Sequence, residues 1–311
     1  MSLAGLVLIV LPIAFNVAFG MLAARFDYPD VLRKPTHEVL ARFREGGRSL
    51  VLLWWAFALQ PGPPVAASSV REAYADLPGV RLCYRDTGGT GVPVVFLHAA
   101  TGSSRVWEYQ IPAFTAAGYR VIAFDRRGFG GTTIAPGGVQ PGTAADDLQA
   151  LMNFLHIDRF HLLGTAAGGF VAFDYALSFP QRLRSLVVAN SIGGVQDEDY
   201  LALGRRIRPP EFSALPADVR ELSPSYRAEN ADGTRRWMEL ERSSRAGGTP
   251  PPAQTMRNQV TFARLQTIRT PTLLLTGGSD LYAPPPVMQL FVKRIRGSES
   301  LVVPEAGHST Y

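Results

Sequence analysis

Residues 164–169 read Gly-Thr-Ala-Ala-Gly-Gly and impose the tightest local constraint in the sequence. Residues 159–163, Arg-Phe-His-Leu-Leu, form a short apolar run that reads as a strand. Residues 170–177, Phe-Val-Ala-Phe-Asp-Tyr-Ala-Leu, read as a buried helix. A chain passes from strand to helix in so few residues only through a sharp turn. Glycines on either side of its centre remove Cβ atoms for which the turn has no room. The pattern matches G-x-S-x-G, in which the central residue sits on a strained turn with its side chain raised above the strand ends. Here the centre is Ala166, whose methyl group carries no nucleophilic atom. Either a serine has been replaced by engineering, or the chain is a natural variant that works another way or not at all.

The surrounding sequence has an α/β rhythm. Residues 71–77 and 80–85 alternate apolar and polar side chains across Pro78-Gly79 and predict an antiparallel pair. Apolar runs at 94–97, 121–124, 160–163, 186–189, 272–275 and 301–303 predict buried parallel strands. Helical patterns at 104–116, 144–156, 168–178 and 285–296 fall between most of them. The result is a mostly parallel sheet flanked by helices. From Asn190 to Arg269 the rhythm breaks. This Arg-, Pro- and Glu-rich stretch, about 191–269, predicts a helical cap over the carboxyl ends of the strands.

Five landmarks in this order resemble the α/β-hydrolase fold family, in its capped esterase, lactonase and carbon–carbon-bond hydrolase branch. His98-Ala99-Ala100-Thr101-Gly102 resembles the His-Gly-x-x-Gly oxyanion loop, with Ala99 in place of the usual glycine. Asp125-Arg126-Arg127-Gly128-Phe129-Gly130 resembles the Asp-x-Arg-Gly-x-Gly turn. The turn at 164–169 comes next. Gly277-Gly278-Ser279-Asp280 followed by Pro284 resembles the acid loop, and Gly307-His308 the histidine loop. The resemblance implies that Asp280 orients His308, that His308 is the base, and that the backbone N–H groups of Ala100 and Ala167 form the oxyanion hole. Ala166 stands at the nucleophile position. The resemblance makes His98 a support of its loop, and His156 and His161 are read as structural. It also implies a final helix after the histidine loop, and that helix is missing from a sequence that stops at Tyr311. Its absence is expected to expose apolar strand surface and to loosen His308.

The N-terminal part differs in character. Residues 2–24 are nearly all apolar, with Asn16 the only strongly polar residue, and are long enough for a membrane-spanning helix of about 20 residues. No basic stretch precedes them, which favours an anchor over a cleaved leader. Arg25, Arg33, Lys34, Arg42, Arg44 and Arg48 follow, and the positive-inside tendency keeps this segment and the hydrolase-like domain cytoplasmic. Residues 50–59, with Trp54-Trp55, suit a helix lying at the membrane interface, and residues 1–60 together resemble a piece of a multi-span membrane module. The Pro/Ala/Ser stretch 61–69 reads as a linker, leaving residues 70–311 as the α/β domain.

Composition narrows the function further. The net charge of +5 comes almost wholly from arginine, without a basic run interleaved with aromatics, so nucleic acid is not an expected partner. The single cysteine, Cys83, allows no internal disulfide and reads as a small core residue. No glycine fingerprint for a dinucleotide follows the first parallel strand, and no Cys/His spacing fits a metal, so no cofactor is implied. Hydrolysis of a small or medium ester, lactone or related carbonyl compound is the expected activity. Thr165 as a substitute nucleophile is one alternative. A second is a cofactor-free reaction with the His308/Asp280 pair as a direct general base. A third is a catalytically inactive, ligand-binding pseudoenzyme.

Overall fold

Arg71–Leu77 (β1) and Val80–Asp86 (β2) form the expected antiparallel pair, in register from Arg71 opposite Asp86 to Leu77 opposite Val80. In this computed structural model the described residues are 70–134, 142–245 and 254–310. They belong to one compact unit, Ser68–Tyr311. Pro93–Leu97 (β3), Arg120–Phe124 (β4), Thr133–Ile134 (β5), Phe160–Thr165 (β6), Leu183–Ala189 (β7), Thr272–Gly277 (β8) and Glu299–Val303 (β9) complete a nine-stranded sheet. The order is β1-β2-β4-β3-β6-β7-β8-β9, with the two-residue β5, absent from the sequence reading, paired to β2. Neighbours from β4 to β9 run parallel, while β2 meets β4 antiparallel.

Strand β3 shows why the parallel strands read as continuous apolar runs. Val95 and Leu97 face one core cluster with Leu148, Phe160 and Phe173, whereas Val94 and Phe96 face another with Val106, Trp107 and Val121. Both faces are covered, so neither can be polar. Helices Gln110–Ala116 (α1), Ala144–Phe154 (α2) and Ala167–Ser178 (α3) supply part of that cover. The chain leaves β3 towards β4 on one side, and β6 lies on the other. The winding direction therefore reverses between β3 and β6. The loops after these two strands flank a crevice at their carboxyl ends, where open α/β sheets bind ligands.

Between β7 and β8 the insert is helical, as expected. It contains Glu198–Ile207 (α4), Ala217–Glu221 (α5), Pro224–Glu229 (α6), Ala231–Arg242 (α7) and Phe262–Leu265 (α8). Pro285–Val292 (α9) follows β8. Asp174, buried in α3, ties the end of the insert to the sheet by accepting the backbone N–H groups of Arg257 at 2.7 Å and Asn258 at 2.9 Å.

One helix departs from expectation. Residues 104–116 form a short 3₁₀ turn, Ser104–Trp107, and then α1 rather than one helix. A continuous helix would set Pro112 in its interior, where the ring meets the carbonyl four residues back. Restarting at Gln110 leaves Pro112 in the first turn, which needs no N–H from it. The Asp125 carboxylate separately holds the Ser104 N–H at 2.6 Å. On the edge strand β9, Leu301 and Val302 are 50% and 39% exposed. The apolar segments 2–24 and 50–59 and the linker 61–69 lie outside the described residues. Among the described residues no helix is long and apolar enough to cross a membrane.

The contact between α3 and β3 yields a direct test. A Cβ on Gly168 would lie 2.3 Å from the carbonyl oxygen of Leu97, and backbone cannot yield as a side chain can. Gly168→Val should therefore lower stability by about 1–3 kcal/mol or more, read as a lower urea midpoint. An unchanged midpoint would show that α3 does not press on β3 in this way.

Candidate active site

Thr165 ends β6 and Ala167 begins α3, so Ala166 alone makes the passage from strand to helix. Its backbone stands at φ +50° and ψ −116°, a conformation that L residues avoid. The surroundings enforce it. The Ala166 N–H donates to Ala189 O at 2.9 Å, and its carbonyl accepts the Ser191 hydroxyl at 2.6 Å and the Gly169 N–H at 3.0 Å. A Cβ on Gly164 would meet the Gly168 carbonyl oxygen at 2.4 Å, so the flanking glycines are obligatory. Strain of this kind costs about 1–3 kcal/mol and concentrates at functional sites. Here it persists around a methyl group. Among the described residues the buried Thr165 hydroxyl has no hydrogen-bond partner, and Thr165 does not line the cavity described below.

Ala100 and Ala167 come from the two loops that flank the crevice, and both line that cavity. Neither backbone N–H donates to another described residue, so both are available to an oxygen placed between them. His98 supports the first loop from behind. Its Nδ1–H donates to Ala99 O at 2.7 Å, and its Nε2 accepts the Arg126 N–H at 3.1 Å. Burial, aided by the Arg126 charge, holds its pKa well below the ordinary histidine value, which fits a neutral ring with one donor and one acceptor. His161 bonds Ser185 on β7, and His156 takes φ +54° just after α2, so both serve structure.

His308 and Asp280 meet as the resemblance implied. The His308 Nδ1–H points at both carboxylate oxygens, 2.9 Å from Oδ1 and 3.0 Å from Oδ2. Oδ1 also accepts the Tyr282 and Ala283 N–H groups at 2.7 and 2.9 Å, and Oδ2 the Asn190 amide at 2.9 Å. Burial opposes ionisation of Asp280, but the His308 contact and these donors outweigh it and hold the carboxyl below its usual value. Burial likewise opposes the His308 cation. Asp280 first, then Glu221, overcome it and raise the imidazole above its ordinary value. His308 is buried, at 6% exposure. Its loop is tied by Asn190 Nδ2 to Gly307 O at 3.1 Å, and by the Ser309 N–H to Glu221 O at 2.9 Å.

Ala100, Ala166, Ala167 and His308 line a cavity of about 400 Å³ at the carboxyl ends of β3, β6, β7, β8 and β9. The insert closes it with Arg220 and Glu221 from α5 and with Glu241 and Arg245. Arg245 bonds the Ala100 carbonyl at 3.0 Å, and Arg220 bonds the Tyr282 hydroxyl at 2.9 Å. The Tyr282 ring lies over His308 at 4.2 Å between centroids. Sequence reasoning reached Ala166, Ala100, Ala167, Asp280 and His308. It missed Asn190, Arg220, Glu221 and Tyr282. Only Asn190 left a signal, as an asparagine at a strand end, where a left-handed conformation is tolerated; its φ is +50°. Among the described residues no group of three or more His, Cys, Asp or Glu side chains is placed to hold a metal.

Comparison with known proteins agrees with this fold. The family model described as alpha/beta hydrolase fold matches residues 92–311. A Mycobacterium tuberculosis protein named as a non-heme bromoperoxidase, BpoC, is 39% identical over 115 residues, which cover 37% of this chain and 43% of that protein's length. Epoxide hydrolase 3 of Xenopus tropicalis is 27% identical over 93% of this chain and 84% of its own. Residues 70–311 are only 242 of the 311 positions, so that similarity extends upstream of the α/β domain. Among solved structures, a thermophilic esterase from Thermogutta terrifontis superposes with a TM-score of 0.63 at 28% identity, over 76% of this chain and 91% of that one.

The electrostatics of the pair can be measured directly. In the intact protein the His308 ring should titrate above the ordinary histidine value of about 6.5, because Asp280 and Glu221 outweigh burial. Asp280→Asn removes the larger of these two charge effects, and the titration should move down. Histidine Cε1–H shifts followed by NMR read this. A titration that does not move would mean that Asp280 does not govern the ring.

Proposed function

The chain belongs to the α/β-hydrolase fold family, and on that footing we propose that it hydrolyses a small or medium ester, lactone or related carbonyl compound. The observation that carries this reading is the buried Asp280–His308 pair facing a cavity with two unclaimed N–H groups, at Ala100 and Ala167. Such donors aim at charge that develops on a carbonyl oxygen under attack, and that charge is greatest in the transition state. An inert binding pocket needs no such pair. The esterase likeness supports the same substrate class.

With Ala166 at the centre of the turn, no acyl-enzyme forms there. Water attacks the carbonyl carbon directly, the His308 imidazole, oriented by Asp280, takes part in proton transfer, and the methyl group of Ala166 forms part of the cavity floor. Ala166→Ser should add a covalent route. Turnover of p-nitrophenyl esters is expected to rise by about 10²-fold or more, with a fluorophosphonate adduct on residue 166 detected by mass spectrometry. A folded Ala166→Ser protein that gains neither activity nor adduct would show that the cavity no longer supports acyl transfer.

Residues 2–24 are proposed as a membrane anchor, with the hydrolase domain on the cytoplasmic side. Their apolar length and the basic residues after them support this. Full-length protein should stay with membranes through an alkaline carbonate wash. Release into the supernatant would rule out an integral anchor.

A further inference from the structure

Glu221 is a buried carboxylate that the family resemblance does not account for. It is the last residue of α5, it is 4% exposed, and it lines the same cavity as His308 and Ala166. Its Oε2 accepts the Ser309 hydroxyl at 3.1 Å, next in sequence to His308, and its carbonyl oxygen accepts the Ser309 N–H. The imidazole of His308 is thus flanked by two carboxylates: Asp280 on Nδ1 and Glu221 across the cavity wall. No serine hydroxyl stands at residue 166 between His308 and a substrate.

We propose that Glu221 is the general base of this site and that His308, as the imidazolium, is its general acid. The proposal rests on the reading of the cavity as a site of direct water attack. Glu221 takes a proton from water while the water oxygen bonds to the carbonyl carbon. The carbonyl π pair moves onto oxygen, which the Ala100 and Ala167 N–H groups receive. When the carbonyl re-forms and the bond to the leaving oxygen breaks, that oxygen takes the proton from His308 Nε2. Proton transfer from Glu221 back to His308 restores both groups. The net change is substrate and water to acid and alcohol.

The charges around the pair are consistent with these roles. Burial raises Glu221 above the usual carboxylate value, against smaller opposing effects of His308, Ser309 and Arg220, with Asp280 adding to the rise. His308 is also raised, although Arg208 opposes this. Tyr282, Arg220, Glu241 and Arg245 complete the ionisable lining. A carboxylate lifted towards neutrality is a stronger base than one in water, and an imidazole lifted in the same way stays protonated to higher pH. A buried group of this kind also lowers stability. Because its folded value exceeds its unfolded value of about 4.3, the ionised form is disfavoured, and stability is lost as pH rises through that interval.

The test compares the full-length wild type with Glu221→Gln and Glu221→Asp across pH, using p-nitrophenyl acetate and a γ-lactone. Wild-type kcat/KM should rise as Glu221 ionises and fall as His308 loses its proton above about 6.5. Glu221→Gln should lose about 10²-fold or more and its acid limb, while Glu221→Asp should recover part of the rate. At neutral pH the Gln variant, which keeps an acceptor for Ser309, should melt no lower than wild type. A merely structural Glu221 predicts the reverse, with a lower melting temperature and a retained pH profile. Wild-type activity that rises through the His308 titration and stays high would return the base role to His308 and overturn the proposal. Equal activity in wild type and Glu221→Gln would overturn it too. An inactive wild type is a different failure, because it removes the hydrolytic reading itself.

Discussion

The passage through Ala166 is the constraint on which the rest of the site depends. A left-handed backbone at a non-glycine residue is unfavourable, and the fold holds it with Ala189, Ser191 and two glycines that admit no side chain. The same turn starts α3 and frees the Ala167 N–H. It also sets α3 against β3, whose following loop brings Ala100 to the same crevice. Sheet winding, helix start and donor pair are therefore one arrangement. Replacing the side chain at position 166 alters none of it, since every group that makes the turn is backbone or lies elsewhere.

Electrostatics around His308 form a second layer. Asp280 is saturated with donors from Tyr282, Ala283 and Asn190, so it remains a fixed anion against which the ring is oriented. Asn190 does more than donate to Asp280. It also holds Gly307 O, and its own oxygen accepts the Thr310 hydroxyl at 2.7 Å. One amide thus ties the end of β7 to the acid loop and the histidine loop. That link explains how a loop beyond a partly exposed edge strand keeps His308 buried.

Much of this was legible in the sequence because it is local. Strands, the hairpin at Pro78-Gly79 and the sharp turn each occupy fewer than ten residues and carry their own pattern of apolar spacing or glycine. The order of landmarks then brought Asp280 and His308 to Ala166. The break at Pro112 was legible too, in the proline itself, but the apolar spacing across 104–116 masked it. The insert was not legible beyond being helical. Glu221 sits in Ala-Asp-Val-Arg-Glu, a stretch indistinguishable from an exposed surface helix. It is bonded to Ser309, almost ninety positions away, and nothing in its neighbourhood announces that contact.

Alanine at the centre of the turn and a carboxylate in the insert are best understood together. In an acyl-transfer site the serine hydroxyl lies beside the imidazole, and catalysis begins with a neutral ring that removes its proton. Two carboxylates around one imidazole work against that starting state, because each favours the cation. With serine present, the added carboxylate would raise the pH at which the ring becomes its base, so the covalent route would gain most above that pH. With alanine present the conflict disappears. A charged ring has no proton to collect, and it can instead donate to oxygen. The second carboxylate then supplies the base that the ring no longer provides.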